Sequence, residues 1–190
     1  AFNLNEATVS STTAKQVKEY LQQNSLAKMV DCRLCIDPNA DTSTNPNQLN
    51  DAITELRKIM QCHVIDHSTY RAPRVRPMAV TVEAKKENDS QEEAELQTRT
   101  WHAAHWELLS RRIEKTGGTF QGLPFLPGIL VQGHDWSFVV STREGSKTVV
   151  WLEQKFGYTN DTIGVYKVIW GVQRLARWVD GVYWPWYKKN

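Results

Sequence analysis

Glu83 and Lys85 stand two positions apart in RPMAVTVEAKK, residues 76–86. Residues i and i+2 of a strand share a face, so Thr81, Glu83 and Lys85 project together while Val80, Val82 and Ala84 project the other way. A second acid, Asp31, lies in KMVDCRLCI, where Val30, Cys32, Leu34 and Ile36 form an apolar face and Asp31 points away from it. A carboxylate on one strand, with a carboxylate and an amine on its neighbour, can converge at one spot. Hard cations such as Mg²⁺ take oxygen ligands, commonly one or two carboxylates together with substrate phosphate. An adjacent lysine would position water or hold the phosphate. The competing reading is an amphipathic edge strand with an exposed ion pair, a feature worth ~0–1 kcal/mol. E-x-K alone does not decide between the two.

A helix follows over 92–114, EEAELQTRTWHAAHWELLSRR and beyond. At about 100° per residue, Ala94, Gln97, Trp101, Ala104 and Leu108 form its core-facing stripe. That stripe includes an amide. Either the buried amide of Gln97 finds partners on the preceding strand, or it sits near the helix end and reaches solvent.

Other chemistry-bearing residues group less well. His63 and His67 are four apart, and His102 and His105 three apart on the helix, but no cysteine or carboxylate spacing completes a tetrahedral zinc set. Cys32 and Cys35 are i and i+3 of a strand and point to opposite faces. With three cysteines in all, they read as buried small hydrophobes in a reducing compartment. His134 and Asp135 are explained by a hairpin turn. Arg71, Arg74 and Arg76, Arg111 with Arg112, and Arg174 with Arg177 form local basic faces.

The elements that must position these groups are read from periodicity and turn chemistry. The expected order is a helix over 12–23, a strand over 28–36, a polar loop over 37–48 and a helix over 49–60. A short strand or loop over 62–67, a strand over 77–86 and the helix over 92–114 come next. Strands at about 128–132, 135–142 and 147–155 then precede a helix over 162–183. Interspersed strands and helices place the chain in the α/β or α+β class, with a mixed sheet covered by helices. The 190 residues suit one domain. Composition is that of a globular protein, 41% apolar and 23% charged, with no apolar run of membrane-spanning length. A net charge of +2 does not by itself argue for a nucleic-acid partner. Of eight tryptophans, Trp170 and Trp178 lie off the apolar stripe of the last helix, and Trp184 and Trp186 follow it. They either pack over the sheet edge or form a partner or base-stacking surface.

An acid on one strand, E-x-K on a later one and a glutamine on the following helix together resemble the PD-(D/E)XK nuclease fold. The segments RPMAVTVEAKK, LQTRTWHAAHW, LPFLPGILVQGHDWSFVVSTREG and TIGVYKVIWGVQRLARWVDGVYWPW resemble, more narrowly, the fungal nuclease-like family of that superfamily over roughly residues 28–187. Gln97-x-x-x-Trp101 is similar to a Gln-x-x-x-Tyr motif with tryptophan in place of tyrosine. The resemblance implies a restriction-endonuclease-like core with a helix inserted between the Asp strand and the E-x-K strand. It implies a single domain spanning 1–190 that lacks part of the family's N-terminal region, where Glu19 would stand for the acid of the first helix. It also implies Mg²⁺ or Mn²⁺ held by Asp31, Glu83 and the backbone carbonyl of Ala84, with Lys85 as the catalytic lysine and Gln97 as an accessory residue. Asp66, nearer to Glu83 in sequence, is the alternative acid. The expected activity is metal-dependent hydrolysis of nucleic acid, DNA rather than RNA, in the nucleus or cytoplasm, with a homodimer possible and no membrane partner. The alternative is a degenerate nuclease fold that serves as an interaction module.

Overall fold

The computed structural model describes residues 14–15, 29–60, 63–66 and 76–190. Its centre is a five-stranded mixed sheet in the order β3-β4-β5-β6-β7. The strands are β3 (Cys32–Cys35), β4 (Met78–Lys85), β5 (Leu126–Gln132), β6 (Asp135–Glu144) and β7 (Lys147–Tyr158). β4 runs antiparallel to β3 and parallel to β5, and β5 to β7 form an antiparallel meander. β4 is therefore an interior strand, not the amphipathic edge strand that its charges alone allow. Met78 to Thr81 are all buried, as they must be when a strand is covered on both faces.

A separate two-stranded pairing joins β1 (Ala14–Lys15) to β2 (Met29–Val30). This corrects the expected helix over 12–23 at the two positions described; its other residues, Glu19 included, lie outside the described residues. The strand expected over 28–36 is also divided, with a bend at Asp31 between β2 and β3. Nor is its alternation simple. Arg33 and Cys35, on the face opposite the expected apolar one, are fully buried, while Cys32 and Leu34 are half-buried.

Helix α1 (Pro46–Ile59) begins inside the expected polar loop. The Asn45 side chain accepts from the Asn47 amide at 3.0 Å, and Pro46 occupies the first helical position. That cap chemistry starts the helix three residues before its first apolar residue, Leu49. Helix α2 (Gln91–Thr116) is capped by Ser90 and ends at Gly117, whose left-handed φ of 74° lets its N–H reach the Ile113 carbonyl at 2.9 Å. Helix α3 (Thr162–Trp178) stops earlier than the periodicity suggests. A π turn over Val179–Tyr183 and a further helix, α4 (Trp184–Lys189), follow it.

α2 and α3 cover opposite faces. Ala94 of α2 packs on Leu130, Val139 and Val150, whereas a Cβ at Gly171 of α3 would meet the Phe156 ring, itself against Trp136. Val139 and Trp136 lie at positions of opposite parity on β6 and so on opposite faces. The π turn then carries Tyr183 back to α2. Its hydroxyl donates to the Met78 carbonyl at 2.8 Å, and His105 Nε2 lies 3.2 Å away and donates to it. Trp184 and Trp186 are buried in this corner, and Trp178 stacks on Phe125 at 4.8 Å, while Trp170 stays 63% exposed.

Between α2 and the sheet lies a closed polar network. His102 Nε2 meets Thr81 Oγ1 at 3.1 Å and Nδ1 meets Ser141 Oγ at 2.6 Å; Trp106 Nε1 donates to the same Ser141 oxygen at 2.9 Å. Burial drives the pKa of His102 down to about 4. Burial, with His102 beside it, drives that of His105 down to about 3. Both are neutral core residues, not zinc ligands. The network needs the bare backbone of Gly128, since a Cβ there would lie 2.7 Å from His102 Nε2 and 3.0 Å from Thr81 Oγ1. Gly128→Ala should destabilise the fold by ~1–3 kcal/mol, as overpacking does. A urea midpoint equal to that of the native chain would show that His102 swings aside freely.

Candidate functional site

The ladder between β3 and β4 pairs Cys32 with Val82. Continuing it by one residue sets Asp31 opposite Glu83, at the end of the sheet where β4 leaves the core. Asp31 is exposed, and its Oδ2 accepts from the Ala84 amide at 2.8 Å, which anchors the carboxylate across the two strands. Glu83 is 2% exposed. Lys85 Nζ lies 3.0 Å from Glu83 Oε1 in an ion pair. Neither oxygen of Glu83 meets strict hydrogen-bond geometry with a described residue, and only the Lys85 ammonium and the Asp31 backbone N–H, among the described groups, approach closely enough to favour its charged form. Native proteins seldom leave a buried carboxylate so poorly satisfied.

The electrostatics follow from that geometry. Burial is the largest influence on Glu83 and raises its pKa to about 7; Lys85 opposes the rise and the charge of Asp31 adds to it. Partial burial disfavours the charged amine of Lys85. Glu83, Asp31 and Glu93 together outweigh that and hold its pKa above the ordinary lysine value. The influence of Glu93, in the first turn of α2, was not anticipated from sequence. The available signal was position: the first turn of that helix follows the E-x-K strand after a short turn.

Gln97 lies on α2 between the buried Ala94 and Trp101, half-buried itself, as the stripe requires. Its Oε1 is buried and accepts no hydrogen bond from a described residue. It therefore does not reach out to solvent, nor does it spend its amide oxygen inside the fold.

Asp66 is placed elsewhere. It is 2% exposed and ion-paired with Arg33 at 2.5 Å. Its charge acts on Cys35 and Tyr183, at the opposite end of β3 and β4 from Asp31 and Glu83. Of the histidine pairs, His63 is exposed on the surface and His67 lies outside the described residues, as do Arg71 and Arg74. His134 caps the hairpin, meeting Thr159 Oγ1 at 3.0 Å, and Asp135 pairs with Lys155 at 2.6 Å.

The donor set suits one kind of metal and not another. No group of three or more His, Cys, Asp or Glu side chains converges among the described residues, which argues against tetrahedral zinc. Two carboxylates on neighbouring segments, one of them buried, fit a hard divalent cation that keeps part of its water shell. No described helix is long and apolar enough to cross a membrane.

No curated protein and no solved structure matches the chain. A family model described as the PD-(D/E)XK nuclease superfamily matches residues 2–184. With an α+β mixed sheet, E-x-K on an interior strand and an acid on the strand beside it, the chain belongs to the PD-(D/E)XK nuclease superfamily.

Proposed function

We propose that the chain is a metal-dependent phosphodiester hydrolase of nucleic acid, acting on DNA. The observation that carries this reading is Glu83, a buried carboxylate in an ion pair with Lys85 and beside Asp31. Asp31 and Glu83, with the Ala84 carbonyl, would hold Mg²⁺ or Mn²⁺. When bound, such an ion supplies Lewis-acid activation of water and neutralises charge on the phosphate. Lys85 is held in its protonated form by three carboxylates. It therefore acts as a charge that stabilises the oxygens of the scissile phosphate and not as a base. Asp31, fixed by the Ala84 amide, keeps one oxygen free toward solvent and substrate. Gln97 offers an unused acceptor and two donors from the helix above, suited to orienting water or a phosphate oxygen.

Purified chain should cleave DNA when Mg²⁺ or Mn²⁺ is added. Glu83→Ala and Lys85→Ala should each lower the rate by at least ~10²-fold, the scale on which preorganised electrostatic groups act. Absence of cleavage of DNA and RNA with either ion, together with no heat of binding on titration with Mn²⁺, would end this reading.

A second reading, an interaction module without catalysis, is favoured by one feature. Ile163, Tyr166 and Trp170 are each more than 60% exposed along α3, which contains Lys167, Arg174 and Arg177 and no acid. If that reading holds, partner or nucleic-acid binding survives Glu83→Ala unchanged, and self-association of the chain through α3 would appear in light scattering.

A further inference from the structure

Far from Glu83, α1, the last turns of α2 and α4 enclose an apolar cavity of about 290 Å³ that is open on one side. Leu49, Ile53 and Leu56 of α1 form one wall, and Trp184 and Tyr187 of α4 the other. Glu55, Thr116 and Lys188 stand at the exposed part of this lining, and its one buried charged residue among those described is Arg112, 6% exposed. Its guanidinium stacks on the Tyr187 ring, 3.5 Å from the centroid, and Nη2 donates to the Tyr187 carbonyl at 2.5 Å. Nε and Nη1 have no acceptor among the described residues, and Arg112 has no ion pair there.

A buried charge in that condition is unusual, because desolvation is costly unless an opposite charge or a full set of acceptors offsets it. The ring of Tyr187 compensates in part. Every nearby carboxylate is committed to another cation. Asp66, whose charge acts on the same two tyrosines as Arg112, is bound by Arg33. Asp41 is taken by Lys188 at 2.6 Å, and Glu55 at the rim by Lys58 at 2.6 Å. The cavity therefore combines a mainly apolar lining with a buried positive charge that lacks a counterion among the described residues, since the second lining cation, Lys188, is paired with Asp41.

We propose that this cavity binds a small amphiphilic carboxylate, its apolar body between α1 and α4 and its anion neutralising Arg112. Size limits the guest. An apolar cavity of ~150 Å³ admits benzene, so this one takes a body roughly twice as large. It stands at the small end of ligand pockets, ~300–1,000 Å³. A medium-chain alkyl or a bicyclic aryl carboxylate meets both requirements. The site is independent of Glu83 and of any nuclease activity.

Decanoate and 1-decanol separate the two components, since they share a chain and differ in charge. The Trp184 indole N–H, which donates to Asp41 at 2.8 Å and sits in the cavity wall, is the reporter by NMR, with calorimetry for affinity. Decanoate should shift that resonance and bind the native chain at least ten-fold more tightly than decanol. Arg112→Met, which exchanges a buried cation for an apolar side chain of similar length, should level the two. Ala52→Phe, at an exposed position on α1 that lines the cavity, should weaken both. Equal binding of decanoate and decanol to the native chain, or binding of neither, overturns the proposal. That comparison decides the matter even if Arg112→Met does not fold.

Discussion

At pH 8 in metal-free buffer, Glu83→Gln is expected to be more stable than the native chain by on the order of 3 kcal/mol, less the lost pairing with Lys85. Burial raises the pKa of Glu83 from 4.5 to about 7. A raised carboxyl pKa means that the folded state prefers the protonated form. The contribution of Glu83 is then favourable at low pH and is lost as pH rises toward 7. A glutamine at this position carries no charge at any pH and never incurs that loss. His102 and His105 run the opposite way. Their folded values near 4 and 3 lie below the ordinary imidazole value of 6.5, so they favour the folded state above pH 6.5 and lose that contribution as pH falls. The other displaced groups fall outside this window: Asp41 is held low, and Cys32, Cys35, Lys85, Tyr158, Tyr183 and Tyr187 are raised further into base. Between pH 7 and pH 5, each imidazole removes about 2 kcal/mol while Glu83 restores about 2. The native chain should therefore lose about 2 kcal/mol over that range, and Glu83→Gln about 4. Denaturant midpoints at pH 8, 7 and 5 for both proteins measure this directly. Parallel pH profiles for the two would show that Glu83 is solvated like an ordinary surface carboxylate.

Asp66→Ala should cost about 3–5 kcal/mol, because it leaves Arg33 charged in the core. Domains of this kind carry only ~5–15 kcal/mol in all, so the variant should unfold at a much lower denaturant concentration. Below its unfolding temperature it should still bind Mn²⁺ like the native chain, since Asp66 lies at the far end of β4 from Glu83. Asp31→Ala is expected to show the reverse pattern. The Asp31 carboxylate is exposed and anchored only to the Ala84 amide, so its removal should cost little stability and weaken Mn²⁺ binding. A well-folded Asp66→Ala protein that no longer bound Mn²⁺ would return Asp66 to the site.

The residues with chemistry were legible in sequence where the geometry is local. Glu83 and Lys85 share a face because strand periodicity leaves no other arrangement, and Gln97 falls between Ala94 and Trp101 by helical rotation. What escaped was set by distant partners. β4 is interior because β5 pairs with it in parallel, and nothing within residues 76–86 encodes that pairing. Arg33 inside the sheet is neutralised by Asp66, 33 positions later. The early start of α1 was readable from Asn45-Pro46, yet the surrounding density of turn formers suggested a loop. The expected helix over 162–183 stopped short of α4, in which Pro185 occupies a first-turn position where a missing N–H costs nothing.

Tyr183 gives this architecture an order in time. The strand that carries Glu83 is held near its start by a hydroxyl 105 residues downstream, and the His105 imidazole meets the same hydroxyl 78 residues before it. A chain emerging from a ribosome can form α1 and α2 early, since their contacts are local. The Met78 end of β4 cannot close against its polar partner until the residues around Tyr183 are released. Until then the Met78 carbonyl lacks its tyrosine donor, while the Glu83 end of β4 can already pair with β3. A chain interrupted before Tyr183 would carry both acids on a strand whose other end is not yet fixed.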